Sequence, residues 1–197
     1  MKTEAGPSIT GIEAIPVIVK GEQDFKISEG RTRIHTSVII RILTDDESIE
    51  GIGEIVCAPP GKPEELPGEI LDAVRNVITP ALIGLNVSSR TKGGSLVDAV
   101  LKGRPWTKAG INNALYDLQA KALDTSVLAL MGGRVNDRIP VMGTVLGIDA
   151  PDRMAERAAD TVAAGFRAVK VKIGENIASD IARVAAVRDA IGSEISL

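Results

Sequence analysis

The sequence predicts an α+β arrangement over residues 1–138, followed by a parallel strand–helix alternation over residues 139–197. Three observations favour this class. Ile- and Val-rich segments separated by short polar stretches come first, segments with helical spacing of apolar residues follow, and the two patterns then alternate. With 44% hydrophobic and 25% charged residues, the 197-residue chain has material for one large domain or two small ones.

The first half opens with an antiparallel meander. Strands are predicted over Gly11–Lys20 and Ile34–Leu43, and Ile49–Val56 completes a hairpin after a polar turn. The polar segment Gly21–Arg31, with glycine at both ends of its first ten residues, is predicted to be a loop. Gly51-Ile-Gly53 starts like a dinucleotide-binding loop, but it lacks the third glycine and lies in a hairpin, so its role is predicted to be structural.

Helical spacing follows. Apolar residues at helical intervals predict helices over 63–79 and 110–123, one short helix within 88–108, and a helix over 127–131 that Gly132-Gly133 ends. Asp117 lies inside the second of these, as either an interior hydrogen-bonding group or a surface charge. The lone His35 and the lone Cys57 lack partners for a metal site or a catalytic triad, so both are expected to be structural.

The second half alternates strand and helix. Strands are predicted over Ile139–Ile148 and Phe166–Ile173, with a third beginning at Ile195, so the sheet is parallel with right-handed crossovers. Asp149 is expected to cap the first helix ahead of Pro151. The inward face of the second helix is predicted to consist of Ile181, Val184, Val187 and Ile191.

Two lysines interrupt the second of these strands. Side chains alternate faces along a strand, so Lys170 and Lys172 share one face and the neighbouring valines take the other. If both are buried, their charges repel each other, and one of them becomes the neutral amine that a proton-abstracting base needs. The segment by itself leaves open a sheet-edge strand with two solvated lysines.

Composition excludes several classes of function. A net charge of −3 and 2% aromatic residues provide neither a basic surface nor a stacking platform for nucleic acid. No apolar run approaches the roughly 20 residues of a membrane span, and the first residues lack a signal-peptide pattern. With a single cysteine, a cytoplasmic protein is expected.

Four motifs in order resemble the enolase superfamily, in its mandelate racemase/muconate lactonizing enzyme branch. They are the hairpin Ile39–Glu54 ending in Gly-x-Gly-Glu, the segment Gly110–Gly133 with Ala-Leu-Tyr-Asp-Leu and a Gly-Gly turn, Ile139-Pro140-Val141, and Gly165–Gly174 with Lys-x-Lys-x-Gly. The resemblance implies a capping domain over 1–138 and the first units of a truncated (β/α) barrel over 139–197.

The same resemblance implies a function. It implies abstraction of the proton α to a carboxylate in a small-molecule substrate, with Mg²⁺ as cofactor. Lys172 matches the acid/base lysine, Lys170 matches its companion, and Gly21–Arg31 matches the loop that covers the barrel mouth. The first barrel strand and the segment after it look most like the dipeptide epimerases of this branch.

The family's metal ligands end the third to fifth barrel strands, and its second acid/base group comes later still. The 197 residues hold no matched ligand, so they are expected to be a fragment that is inactive alone. The alternative is a non-catalytic association module whose sheet edge pairs with another chain. Such an edge also makes a homo-oligomer expected. A third interpretation is a complete small enzyme that forms a Schiff base at Lys172.

Overall fold

The computed structural model describes residues 6–27, 30–57, 65–143 and 145–197. The chain forms two compact units: one comprises the residues up to Lys20 with Ile34–Val135, and the other comprises Gly21–Arg33 with Asn136–Leu197. An antiparallel sheet with helices builds the first, and parallel strands with helices build the second. This confirms the predicted fold class. The predicted domain division at residue 138 stays a prediction.

The antiparallel sheet has the strand order β1-β2-β3. Its strands are β1 (Ile9–Ile27), β2 (Gly30–Thr44) and β3 (Gly51–Val56). The β2–β3 pairing is antiparallel and places Ile40 opposite Gly53. Since alternate residues of a strand share a face, β2 contributes a row of fully buried side chains to the core: Val38, Ile40 and Ile42.

The predicted loop Gly21–Arg31 is wrong for the residues that the structure describes there. β1 continues to Ile27 and β2 begins at Gly30, so the polar segment extends the hairpin. The Arg33 side chain adds a hydrogen bond to the Gly21 carbonyl at 3.1 Å. Paired strands satisfy each other's backbone groups, so the segment forms a ladder without an apolar pattern.

Helices follow the sheet in the first unit. They are α1 (Pro67–Ala73), α2 (Thr79–Leu82), α3 (Arg90–Val100), α4 (Pro105–Ala122) and α5 (Val127–Leu130), with a π-helical turn over Val74–Ile78 and a 3₁₀ turn over Val87–Ser89. α4 buries the stripe that its spacing predicts: Ile111, Ala114, Leu115 and Leu118. Residues 63 and 64 of the first predicted helix lie outside the described residues.

α4 packs so closely on β3 that glycine is required on both sides. A Cβ at Gly53 would collide with the Gly110 carbonyl, and one at Gly51 would collide with the Ala114 carbonyl. A Cβ at Gly110 would in turn meet Ile55 and the Glu54 backbone. The Gly-x-Gly motif is therefore structural, as predicted.

Asp117 belongs to the same contact. Its Oδ2 accepts hydrogen bonds from the Ile52 amide and from Lys121 Nζ, both at 2.7 Å. Ile52 lies between the two strand glycines, so the carboxylate ties α4 to β3. The structure combines the two roles left open by the sequence: the carboxylate is hydrogen-bonded to the β3 backbone, and its side chain is 31% exposed.

The second unit holds a short parallel sheet with two helices. Its elements are β4 (Val145–Leu146), α6 (Pro151–Ala163), β5 (Lys170–Val171) and α7 (Ile177–Ile191). β4 and β5 pair in parallel, and a parallel bridge from Ala168 to Ser196 agrees with a third strand starting there. Its buried core comprises Leu146, Met154, Ala158, Val169, Val187, Ile191 and Ile195.

Three details of this unit differ from the prediction. The strands are shorter than predicted, and Ile139 and Val141 at the start of the first are exposed. Residue 144 of that segment lies outside the described residues. The N-cap of α6 is Ala150, whose amide donates to the Asp149 carboxylate at 2.8 Å.

The inward face of α7 was predicted only in part. Val187 and Ile191 are buried, but Ile181 and Val184 are 65% and 37% exposed, and Arg183 is buried in their place. The helix therefore carries two apolar stripes: Val187 and Ile191 pack on the core, and Ile181 and Val184 line an open groove. No described helix has both the length and the apolar character needed to cross a bilayer.

Candidate functional site

The two lysines lie where β5 runs beside β4. The Lys172 amide donates to the Leu146 carbonyl at 2.9 Å, which continues the parallel pairing past the end of the strand. Val169 is buried and Val171 packs against the same core. By the alternation of side chains along an extended chain, Lys170 and Lys172 are expected on the opposite face.

The sequence left open whether the two lysines are buried, and neither is fully buried in the chain described. Lys170 is exposed and Lys172 is half-buried. The core of α6 and α7 lies on the valine side of β5, so the lysine side takes no part in it. Lys170 and Lys172 therefore lie at the end of a parallel strand, outside the apolar core.

Phe25 and Lys26, near the end of β1, lie against the segment that follows β4, and these two residues are called the hairpin tip below. The Ile148 amide donates to the Lys26 carbonyl at 2.8 Å. Gly147 makes this approach possible, because a Cβ there would lie 3.1 Å from both the nitrogen and the oxygen of Lys26. A Cβ at Gly147 would also lie 3.2 Å from the Phe25 ring. The hairpin tip and the carboxyl end of β4 therefore form one surface.

A charged network surrounds the turn after β5. Arg183 donates to the Asp149 carbonyl at 2.9 Å, to Asp180 at 2.8 Å and to Glu175 at 2.6 Å, with its side chain only 10% exposed. Glu175 also pairs with Lys26 of the hairpin tip. Burying a guanidinium is costly unless its donors are satisfied, and here all three nitrogens are.

These contacts lower the pKa values of two carboxylates in the turn, Glu175 and Asp180. Hydrogen bonds from Lys26 and then from Arg183 lower the pKa of Glu175 below its ordinary value of 4.5. The Gly174 amide, at 2.8 Å, lowers the pKa of Asp180, and Arg183 adds to the shift. Sequence reasoning missed this network. Its one local signal was an arginine at 183, in phase with the apolar residues 187 and 191.

We expect this network to make the free energy of unfolding fall at low pH. A carboxyl pKa that is lowered by folding means that the unfolded chain binds more protons, so the contribution is complete above the ordinary pKa values and is lost as the pH falls through the folded ones. Urea titrations at pH 7 and below pH 4 should show a falling free energy of unfolding, and a smaller fall in Glu175→Gln.

The exposed carboxylate Glu194 offers the control. Glu194→Gln should keep the pH dependence of the unmodified chain. An unchanged acid dependence in Glu175→Gln would show that the carboxylate of Glu175 contributes nothing to it.

The other ionisable candidates are accounted for structurally. Cys57 is buried, and burial together with the charge of Glu65 raises the pKa of its thiol. His35 is exposed on β2. The buried Glu65 accepts hydrogen bonds from the Trp106 amide and from the amide and hydroxyl of Thr107, so it caps the first turn of α4.

No metal site forms among the described residues, where His, Cys, Asp and Glu side chains never gather in threes in a suitable arrangement. The ligand set for Mg²⁺ implied by the resemblance is thus not among them. The site consists of Lys170, Lys172, the hairpin tip and the network around Arg183.

Comparison with known families matches both parts of the chain. The mandelate racemase/muconate lactonizing enzyme N-terminal domain matches residues 12–132. The enolase C-terminal domain-like family matches residues 153–197. The first match alone covers more than half of the chain.

Similar individual proteins are isomerases. The chain is 34% identical to an N-succinyl-L-Arg/Lys racemase of Bacillus cereus, over 96% of this chain and 50% of that protein. It is 35% identical to a hydrophobic dipeptide epimerase of Enterococcus faecalis, over 91% and 49%. A muconate cycloisomerase of Acinetobacter baylyi is 31% identical, over 94% and 51%. The chain thus spans about half the length of these relatives.

Solved structures agree. The B. cereus racemase superimposes with a TM-score of 0.88 over 95% of this chain and 50% of that one, at 34% identity. The E. faecalis epimerase, solved with Mg and the dipeptide L-Leu-L-Tyr, gives 0.87 over 95% and 52%, at 30% identity. The order of motifs, the α+β and parallel units and these matches together show that the chain belongs to the mandelate racemase/muconate lactonizing enzyme branch of the enolase superfamily.

Proposed function

We propose that the protein is an isomerase that removes the proton α to a carboxylate. In this proposal residues 1–138 form the capping domain and residues 139–197 the opening part of a (β/α) barrel. The observation that carries it is the pair Lys170 and Lys172, side by side on one face of a parallel strand, in a chain whose relatives are racemases, epimerases and cycloisomerases.

The two lysines have different roles in this proposal. Lys172 is the base: its neutral amine takes the α-proton and returns it to the same face of the carbon. Lys170 lies about 7 Å away along the strand by the rise per residue, and its charge attracts the substrate carboxylate.

Mg²⁺ belongs to the proposal for the whole protein. The E. faecalis relative was solved with Mg, but the residues described in this chain offer no ligand set. We assign the metal ligands and the second acid/base group to residues outside the 197. The 197-residue chain alone is then expected to show no turnover.

The proposed substrate is an amino acid acylated on its nitrogen, in a cytoplasmic setting. Two of the relatives carry names that fit this class, one for N-succinyl amino acids and one for dipeptides. In both kinds of molecule, an α-carbon that carries a proton is bonded to an amide nitrogen and to a carboxylate.

The test follows the α-proton directly. The protein, expressed from its full coding sequence, is incubated in D₂O with Mg²⁺ and separate enantiomers of N-succinyl amino acids and dipeptides, and ¹H NMR follows loss of the α-proton. We expect exchange and isomerisation with at least one member of the panel. Absence of exchange across this panel would contradict the proposal, and turnover by the 197 residues alone would overturn the assignment of ligands.

A second candidate, association with another chain, rests on one observation. An open groove of about 1050 Å³ runs between β5 and α7, with exposed apolar residues along it: Ile173, Ile177, Ile181, Val184 and Leu197. A homo-oligomer could cover it. The coding sequence after Leu197 separates the candidates: continuation into strands ending in Asp or Glu favours the isomerase, and a stop codon favours association.

A further inference from the structure

The glycine that ends the Lys-x-Lys-x-Gly motif is required by the backbone. Gly174 adopts a φ of 112°, a region in which a side chain is strained. Its amide donates to Asp180 Oδ2 at 2.8 Å, and Asp180 lies in the first turn of α7. The chain that carries Lys172 is therefore fixed, two residues after the lysine, by a carboxylate of the next helix.

Arg183 connects this contact to the neighbouring strand. Its Nη1 donates to the other oxygen of Asp180 at 2.8 Å, and its Nε donates to the Asp149 carbonyl at 2.9 Å. Asp149 comes three residues after Leu146, whose carbonyl accepts the Lys172 amide at 2.9 Å. The backbone of Lys172 thus belongs to a closed circuit of hydrogen bonds that passes through α7 and the ends of β4 and β5. We call it the Arg183 circuit.

The side chains of the Arg183 circuit have little freedom to move. The Arg183 side chain is 10% exposed and that of Asp180 is 14% exposed. The remaining nitrogen of the guanidinium donates to Glu175 at 2.6 Å. Because a guanidinium presents its donors in a rigid, planar fork, partners bound to different nitrogens are held at a set separation. The circuit therefore fixes the spacing between the carboxyl ends of the two strands.

We propose that Arg183 and Asp180 are positioning residues for Lys172: they fix the backbone from which its side chain extends, and thereby the placement of its amine on the substrate. The second part rests on the proposed function, and the first does not. Neither residue is proposed to touch the substrate. A general base must lie within hydrogen-bonding reach of the proton that it removes. A misplacement of about 1 Å can cost about 100-fold in rate.

The first test measures amide hydrogen exchange at Lys172 and Gly174 in the protein expressed from its full coding sequence. Arg183→Met removes the donors of the circuit, and Asp180→Ala removes both acceptor oxygens while keeping a residue that favours helix. Each variant should speed exchange at the two amides about tenfold or more, as expected for the loss of a hydrogen bond to a charged group. If Arg183→Met fails to fold, Asp180→Ala decides.

Arg188→Met is the matched control. Arg188 lies on the same helix and donates to the Gly192 and Ile195 carbonyls, outside the circuit. Its replacement should leave exchange at Lys172 and Gly174 unchanged. Unchanged exchange at both amides in the circuit variants would overturn the proposal. So would an equal increase in Arg188→Met, because any disturbance of α7 would then have the same effect.

The two enantiomers of a substrate provide a second readout. In the proposed function, Lys172 acts on one face of the α-carbon, and the opposite face belongs to a group outside the 197 residues. Arg183→Met and Asp180→Ala should therefore lower kcat about 10- to 100-fold for α-proton exchange of the enantiomer that depends on Lys172, with a smaller change in KM. Exchange of the opposite enantiomer should remain that of the unmodified protein.

Together the two readouts separate the positioning role from the proposed function. In an active protein, equal losses for both enantiomers, or no loss, would overturn the positioning role, because a general loss of folded protein affects both alike. Faster amide exchange in a protein without isomerase activity would keep the circuit and reject the function. Activity with unchanged amide exchange in the circuit variants would keep the function and reject the circuit.

Discussion

Replacing Lys172 with methionine should lower α-proton exchange of one substrate enantiomer about 1000-fold, the usual contribution of a positioned general base. Methionine keeps the length of the stem and removes the amine. A side chain reaches only one face of a carbon, so the loss should be confined to the isomer whose proton points toward β5. Isomerisation, which needs both faces, should be lost for both enantiomers.

The measurement is ¹H NMR in D₂O, with each enantiomer assayed separately in the full protein. Lys20→Met, which removes an exposed lysine from β1, serves as the control for charge and should exchange both enantiomers normally. Equal exchange of both isomers by Lys172→Met would show that the base is another group. The far-ultraviolet spectrum should remain unchanged, because Lys172 takes no part in the apolar core.

Replacing Gly53 with alanine should cost about 3 kcal/mol of folding free energy, the upper part of the range for overpacking a core. The new methyl group would meet backbone atoms on α4: the Gly110 carbonyl, and the Ala114 nitrogen at 2.9 Å. Backbone cannot rotate away as a side chain can, so the helix must shift. The Asp117 hydrogen bond to Ile52 would weaken with it.

Thermal unfolding measures this change. About 3 kcal/mol corresponds to a fall in Tm of roughly 6–12 °C for a chain of this size. Gly68→Ala is the matched control, since nothing lies within 4 Å of a Cβ at that position in α1. Alanine there should be neutral or slightly stabilising, because it favours helix. Equal melting of the two variants would mean that α4 yields to the added methyl group.

Local patterns predicted most of the first unit correctly. Alternation along β2 and the helical spacing of α4 each specify one buried face, and the structure buries those faces. The Gly-x-Gly pair was also identified as structural from its place in a hairpin. In these cases the information lies within a few consecutive residues, where periodicity carries it.

Pairings between distant residues could not be predicted in this way. Lys26 and Glu175 are separated by 149 positions, and neither sits in a local pattern that points to the other. The inward position of Arg183 was not predicted, because an isolated helix gives a charge no reason to face inward. The polar hairpin tip looked like a loop for the same reason, since its stabilising partners are the opposite arm and the segment after β4.

The lysine pair shows that alternation along a strand does not predict burial. Alternation assigns Lys170 and Lys172 to one face, but burial depends on what covers that face. In the chain described, α6 and α7 pack on the valine side. Strand geometry determines where a side chain points, whereas its environment is decided by whichever elements assemble around it.

The long β1–β2 hairpin also restricts how its tip can be altered. Its root belongs to the first unit and its tip to the second. Because side chains alternate with a period of two, inserting or deleting one residue in an arm would turn every later side chain to the opposite face. Grafts that exchange the tip should therefore add or remove residues in even numbers, and pairwise across the two arms.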